Sequence, residues 1–224
     1  MRPEWGLGSI RQVTHFADIE RAALADLMIS VGPDAPTLCA GWSTRDLAAH
    51  LIVRLTRVDA AAGIMIKALA PHLRRVQNQV AARDWSTLVE QVRRRPWWLA
   101  VGDEAINRVE YFVHHEDVRR AQPGWQPRQL SPELAQALWS RIRIQAKLAL
   151  RRTPAAITVT APGFGSVTAG SVAAGSATAG RGVDLLGTPA ELMMFLTGRQ
   201  DHAIVELAGP DEIAGRMRTA RYGV

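Results

Sequence analysis

Between Glu110 and Arg120 the sequence reads EYFVHHEDVRR, which sets two adjacent histidines, His114 and His115, among three carboxylates. Imidazoles and carboxylates are the side chains that ligate divalent ions and carry protons near neutral pH. Helical geometry separates them. With about 100° per residue, Ala105, Ile106, Val109 and Val113 form an apolar stripe, and Glu110 and His114 lie beside it one turn apart. Asp103 and Asp117 fall on the same edge, while His115 and Glu116 are expected to face water or pack locally. The E-x-x-x-H spacing lets Glu110 and His114 meet one ion at the margin of a helical core. Such a pair is also an ordinary salt bridge, so a metal reading needs a third ligand.

His50 is that candidate. It follows Leu47 by three residues and precedes Leu51 by one, so its ring leaves the helix on the apolar side. A single inward histidine is commonly a core residue satisfied by hydrogen bonds. Two helices that each offer inward donors are the way bundles build metal sites. Three protein ligands leave a tetrahedral ion an open position, as in catalytic zinc sites. The donor set suits Fe(II), Ni(II) or Mn(II) equally. Asp117 either orients the His114 ring or pairs with Arg120 in solvent. Cys39, close to a helix start, reads as a small loop residue rather than a catalytic thiol.

These side chains need rigid carriers. Helical spacing begins near Thr14, with Phe16, Ile19, Ala23 and Leu27 as its apolar stripe, and Gly32-Pro33 ends it. Ser43 and Asp46 form a capping-box pattern ahead of a helix carrying Leu47, Leu51 and Leu55. Further helices are expected over residues 64–82, Trp85 to Arg95, Asp103 to Arg120, and from Ser131 onward with Leu134, Leu138 and Ile142 inside. After Pro154 the composition shifts to strands at Ile157–Thr160, Val183–Leu186 and Ala203–Leu207, a helix opened by Thr188-Pro189 and closed by Gly198, and a last helix near Pro210. The expectation is an α+β chain, mainly α, with a four-helix bundle at residues 14–153 and a small α+β domain at 154–224. Residues 1–13 read as a loose leader. The repeat SVTAG-SVAAG-SATAG, residues 166–180, reads as part of a low-complexity insertion at 161–182. It does not read as a phosphate loop, because no Gly-Lys-Ser/Thr follows it.

Two motifs carry a resemblance. LCAGWSTRDLAAHL (38–51) and VEYFVHHEDVRRA (109–121) are similar to the DinB-like metal-binding superfamily, in particular its actinobacterial branch resembling mycothiol-dependent maleylpyruvate isomerase. That branch pairs a W-[ST]-x-x-D-L-x-x-H-L helix with a later E-x-x-x-H helix. The resemblance implies a three-ligand site at His50, Glu110 and His114, usually for zinc, and a smaller α+β domain after the bundle. It also implies mycothiol as a low-molecular-weight thiol cofactor acting on an electrophilic small molecule, with S-transfer or isomerisation as the outcome. The glycine-serine-alanine repeat and the leader depart from the family pattern.

The chain has 224 residues, 47% of them hydrophobic, enough for a buried core, and a formal charge of +6. Residues 67–98 hold seven Lys/Arg against two Asp/Glu, and residues 140–152 hold five basic residues and no acid. These arginines share their segments with helical apolar spacing and read as solvated faces. No nucleic-acid reader motif accompanies them, although Trp97 and Trp98 follow a basic run. No membrane span or secretory signal is evident, and the single cysteine suits a reducing compartment, so a cytoplasmic protein is expected. Two further functions stay open. One is a metal-dependent hydrolase with Asp103 or Asp117 as general base. The other is a non-enzymatic metal-bearing module whose basic face engages an acidic partner.

Overall fold

The computed structural model describes residues 16–64, 66–94, 104–171 and 182–222. The leader at 1–13, Trp97, Trp98, Asp103 and repeat residues 172–180 lie outside the described residues. In chain order come α1 (Phe16–Val31), α2 (Thr44–Thr56), the short α3 (Val58–Ala61), α4 (Ala70–Ala81), α5 (Trp85–Arg93), α6 (Glu104–Arg120) and α7 (Pro132–Ala149). Then follow β1 (Ile157–Ala161), β2 (Gly165–Ala169), β3 (Val183–Leu186), α8 (Pro189–Leu196), β4 (Glu206–Ala208) and α9 (Asp211–Thr219). The chain is α+β and mainly helical, with one mixed sheet among the described residues.

Local chemistry sets the helix ends. Ser43 caps α2 in a complete capping box, its side chain accepting from Asp46 N while the Asp46 carboxylate accepts from Ser43 N at 2.9 Å. Ser131 and Thr188 cap α7 and α8 by accepting from Leu134 N and Glu191 N, each followed by a proline in the first turn. The expected helix over 64–82 is shorter. 3-10 turns at Ala62–Ile64 and Lys67–Leu69 precede α4, which begins with a proline in its first turn. A proline ring fits only where no preceding turn crowds it.

α1 faces inward differently from the expected stripe. Ile19 is 54% exposed, whereas Ala17, Leu24, Ala25 and Met28 are buried together with Glu20 and Arg21. Two charged residues on the inner face obscured the period. Each finds partners there, Glu20 with His115 and Arg128, and Arg21 with Asp18 and the Arg93 carbonyl. α7 follows its pattern, with Leu134, Leu138 and Ile142 buried.

The sheet order is β2-β1-β3-β4, with β1 parallel to β3 and the outer pairs antiparallel. Ile157, Val159 and Ala161 of β1 point to the core in strict alternation. β2 was not expected, because it uses the first small-residue pentapeptide of the repeat. It pairs residue by residue with β1 from Ile157↔Ala169 to Ala161↔Gly165. Gly170 ends it at φ +92°, where a Cβ would lie 2.0 Å from the Ala155 carbonyl oxygen. The third expected strand begins later, at Glu206.

Among the described residues, apolar burial forms two cores. α1, α2, α4 and α5 enclose Leu24, Leu51, Val76 and Leu88, and Tyr111 and Val118 of α6 join them. The other core unites α7, the sheet, α8 and α9 around Leu138, Val159, Leu185 and Phe195, with Phe112 and Val113 from α6. α6 lies between the two and contributes to both. Among the described residues no helix is long and apolar enough to cross a membrane.

Candidate metal centre

α2 and α6 bring His50, Glu110 and His114 together, one ligand atom from each lying within 4.8 Å of the others. The His50 and His114 rings meet edge to face with centroids 5.4 Å apart, and Trp42 packs against His50 at 5.0 Å. His114 Nε2 lies 3.6 Å from Glu110 Oε2. Two donors on a tetrahedral ion with bonds of about 2.1 Å stand roughly 3.4 Å apart, so this spacing suits a shared ion. The Gln77 amide of α4 donates to His50 Nδ1 at 3.2 Å, which puts the neutral ring's proton on Nε2; ligation through Nε2 would require that proton to move to Nδ1 and the Gln77 amide to turn its oxygen toward it.

Electrostatics hold the two histidines in different states. Burial, together with the charges of His114 and Arg54, lowers the His50 pKa to about 3 against the pull of Glu110. Its imidazole is therefore neutral at pH 7, the form that ligates. His114 is buried, and burial alone would lower its pKa. Hydrogen bonds to Asp117, Cys39 and Glu110 overcome that and raise it well above the ordinary value. Burial opposes ionisation of Glu110, but His114 and Arg54 bring its carboxyl below the ordinary range. Without an ion, a proton on His114 fills the role a cation would take between these carboxylates.

Asp117 is completely buried and accepts from His114 Nδ1 at 2.9 Å. This fixes the ring with Nε2 toward Glu110, the usual arrangement of an imidazole that ligates a metal. Of the two expectations for Asp117, the structure has the orienting one. Arg120 bonds Glu116 and Glu191 instead. Asp117 also accepts from Arg199, Nε to Oδ1 at 2.8 Å and Nη2 to Oδ2 at 2.7 Å. Both oxygens are taken, which leaves it poorly placed as a general base. Despite the cost of burial, these partners hold its carboxyl well below the usual range.

His115 and Glu116 do not face water. His115 Nδ1 bonds Glu20 at 2.9 Å, and the fully buried Glu116 accepts from Arg120 at 2.6 Å and from Arg128 at 2.7 Å. They belong to an ionic network joining α6 to α1 and α8; Arg120 lies one turn along α6 from Glu116, but Glu20, Arg128 and Glu191 come from outside the helix and are invisible to a helical wheel.

Cys39 is not simply a small loop residue. Leu38 N donates to the Asp117 carbonyl at 3.1 Å, docking the loop before α2 on α6. Cys39 Sγ then lies 3.2 Å from Asp117 Oδ2, 3.6 Å from Arg199 Nη2 and 4.0 Å from His114 Nδ1. Cys39, His114 and Asp117 thus form a second donor group with atoms within 4.8 Å. There both Asp117 oxygens are already taken by Arg199 and His114, so the His50 group offers the freer donors. Arg54, with Nε 3.5 Å from Glu110 Oε2, offsets part of the charge on that side. Arg54, Gln77 and Arg199 were missed in the sequence. The only local signal was the glycine before Arg199.

Fold and site together describe a mainly helical chain with a small mixed sheet and a three-donor cluster spanning two helices. Two solved structures share this fold, those of mycothiol-dependent maleylpyruvate isomerase and of a histidine-to-alanine variant of it. Both are 12% identical to this chain and cover 86% of it and 90% of their own chain, with TM-scores of 0.53 and 0.54 respectively. At that identity the likeness establishes a related fold. No protein-family model and no curated protein sequence matches the chain.

Proposed function

We propose that His50, Glu110 and His114 hold a divalent ion, zinc by preference, and that the protein uses a low-molecular-weight thiol, mycothiol, for S-transfer or thiol-assisted isomerisation of an electrophilic small molecule. On this reading the chain belongs with the DinB-like proteins its motifs resemble. The observation that carries the proposal is the convergence of three ligand atoms from two helices within 4.8 Å. Their donor chemistry fits the ion: one neutral imidazole, one carboxylate, and one imidazole whose far nitrogen is held by a buried carboxylate. The shared fold with a mycothiol-dependent isomerase favours a thiol partner over water.

A zinc ion bound here would supply Lewis acidity and stabilise a thiolate at neutral pH. The chain's own groups have separate tasks. Asp117 orients His114 and keeps its Nδ1 protonated. Trp42 packs against one side of His50 and Gln77 holds its Nδ1. Glu110, 34% exposed at its side chain, lies where the site meets solvent. Arg54 beside it adds positive charge for an anionic substrate or thiolate.

Metal analysis of the purified wild type beside His50→Ala, Glu110→Ala and His114→Ala tests the centre. One equivalent in the wild type and its loss in each variant is the expected result. Full occupancy in all three variants would refute the ligand set. Calorimetry of the zinc-loaded protein with mycothiol tests the chemistry, and absence of binding there would remove the thiol reading while leaving the centre intact.

A further inference from the structure

We infer that Arg199 is a positioning residue of the metal centre, setting the His114 ring through Asp117 and so making metal affinity depend on how α8 docks on α6. This rests on the reading of His50, Glu110 and His114 as ligands.

α8 ends in a Schellman turn. Gly198, at φ +92°, donates to the Phe195 carbonyl at 3.3 Å, and Arg199 N donates to the Met194 carbonyl at 2.9 Å. A Cβ at Gly198 would meet the Tyr222 carbonyl oxygen at 2.2 Å, so the glycine is required twice over. The turn directs the first residue beyond it to α6. There the Arg199 fork takes both oxygens of Asp117, and its Nη1 donates to the Thr197 carbonyl at 2.5 Å. The guanidinium is thus fixed at the C-terminal end of α8, where backbone carbonyls favour a cation. Planar bidentate pairing allows the carboxylate little rotation, and lysine cannot reproduce it.

Asp117 passes this constraint on, because the oxygen that accepts from Arg199 Nη2 also accepts from His114 Nδ1. One turn further along α6, Arg120 donates through Nη1 and Nη2 to Glu191, at 2.7 and 2.8 Å, in the first turn of α8. α8 is therefore held to α6 at both ends by forked ion pairs, and only the pair at its C-terminal end touches a ligand's carboxylate partner. Any shift of α8 along α6 moves the group that sets the His114 ring. By reciprocity, an ion on His114 Nε2 tightens the clamp.

The test compares wild type, Arg199→Lys, Arg199→Gln, Asp117→Asn and the double variant Arg199→Gln/Asp117→Asn. Zinc affinity is measured by competition with a chromogenic chelator, and ligand field by the visible spectrum of the cobalt-substituted protein. Loss of an outer partner typically weakens metal affinity about 10- to 100-fold. Losses in that range are expected for Arg199→Gln and Asp117→Asn, with a shifted cobalt spectrum in each. The double variant should be no worse than the weaker single one, since the two residues act in series. Arg199→Lys keeps the buried charge, so it carries the test if Arg199→Gln does not fold, and a spectrum displaced from wild type is expected. A wild type that binds zinc beside Arg199 variants of equal affinity and unchanged spectrum overturns the positioning role alone, as do fully additive losses. A wild type that takes up no zinc overturns the metal reading and this inference with it.

Discussion

His114 serves two neighbourhoods with one ring. Its Nδ1 belongs to Asp117 and Cys39, its Nε2 to Glu110 and His50, so two donor groups compete for the same residue. Each group has an arginine beside it, Arg199 at Asp117 and Arg54 at Glu110, but both Asp117 oxygens are already engaged by Arg199 and His114, which leaves the Cys39 group the poorer donor set. Cys39→Ala should therefore keep full metal content by elemental analysis, whereas His50→Ala should lose it. The opposite pattern would assign the ion to the thiol side. His50, Glu110 and His114 were legible in the sequence because each sits at a helical spacing that fixes its direction. Arg199 was not, since an arginine after a helix-ending glycine shows no period and its partner lies 82 positions away.

Among the elements, those with apolar inner faces were the readable ones. α7 was recognised from Leu134, Leu138 and Ile142, and α2 from its cap. α1 was recognised as a helix but turned wrongly, since Glu20 and Arg21 count as polar in any hydrophobic pattern and only the fold supplies His115 and Arg128. β2 escaped notice because Ser, Ala and Gly have little strand preference. Removing the α2 cap with Ser43→Ala should cost about 1 kcal/mol in urea denaturation, without change in metal stoichiometry. The tie between α1 and α6 gives a pH signature. Burial would raise the pKa of Glu20, but His115 and Arg128 hold it below the ordinary 4.5. The folded state then binds the proton less readily than the unfolded chain, so this contribution is complete above 4.5 and disappears as pH falls through the lower folded value. Glu20→Gln should accordingly melt below wild type at pH 7, and the gap should narrow as the pH is lowered past 4.5.

At the scale of the molecule, α6 belongs to both cores and carries two of the proposed ligands, so occupancy of the centre should be felt throughout. Stripping the ion with a chelator is expected to lower the melting temperature. The loss would be about 4 kcal/mol of stability if free zinc stands about a thousandfold above its dissociation constant. A melting curve indifferent to chelator and to added zinc would contradict the centre. The basic charge has its own place. Arg143, Lys147, Arg151 and Arg152 lie exposed on the outer side of α7 and just beyond it, as the sequence suggested for solvated faces.

The edge strand β2 occupies its slot with the hexapeptide GSVTAG, and the chain continues with two near-copies, GSVAAG and GSATAG, sharing the boundary glycines. Each copy ends in the residue that the Ala155 carbonyl leaves room for. A slip of one unit would present β1 with nearly the same letters, but it would lengthen the β1–β2 hairpin and shorten by the same amount the link that must cross β1 to reach β3. The single register of β2 is thus held less by its own side chains than by the lengths of the connections on either side, and removal of one whole pentapeptide is expected to leave the melting temperature unchanged.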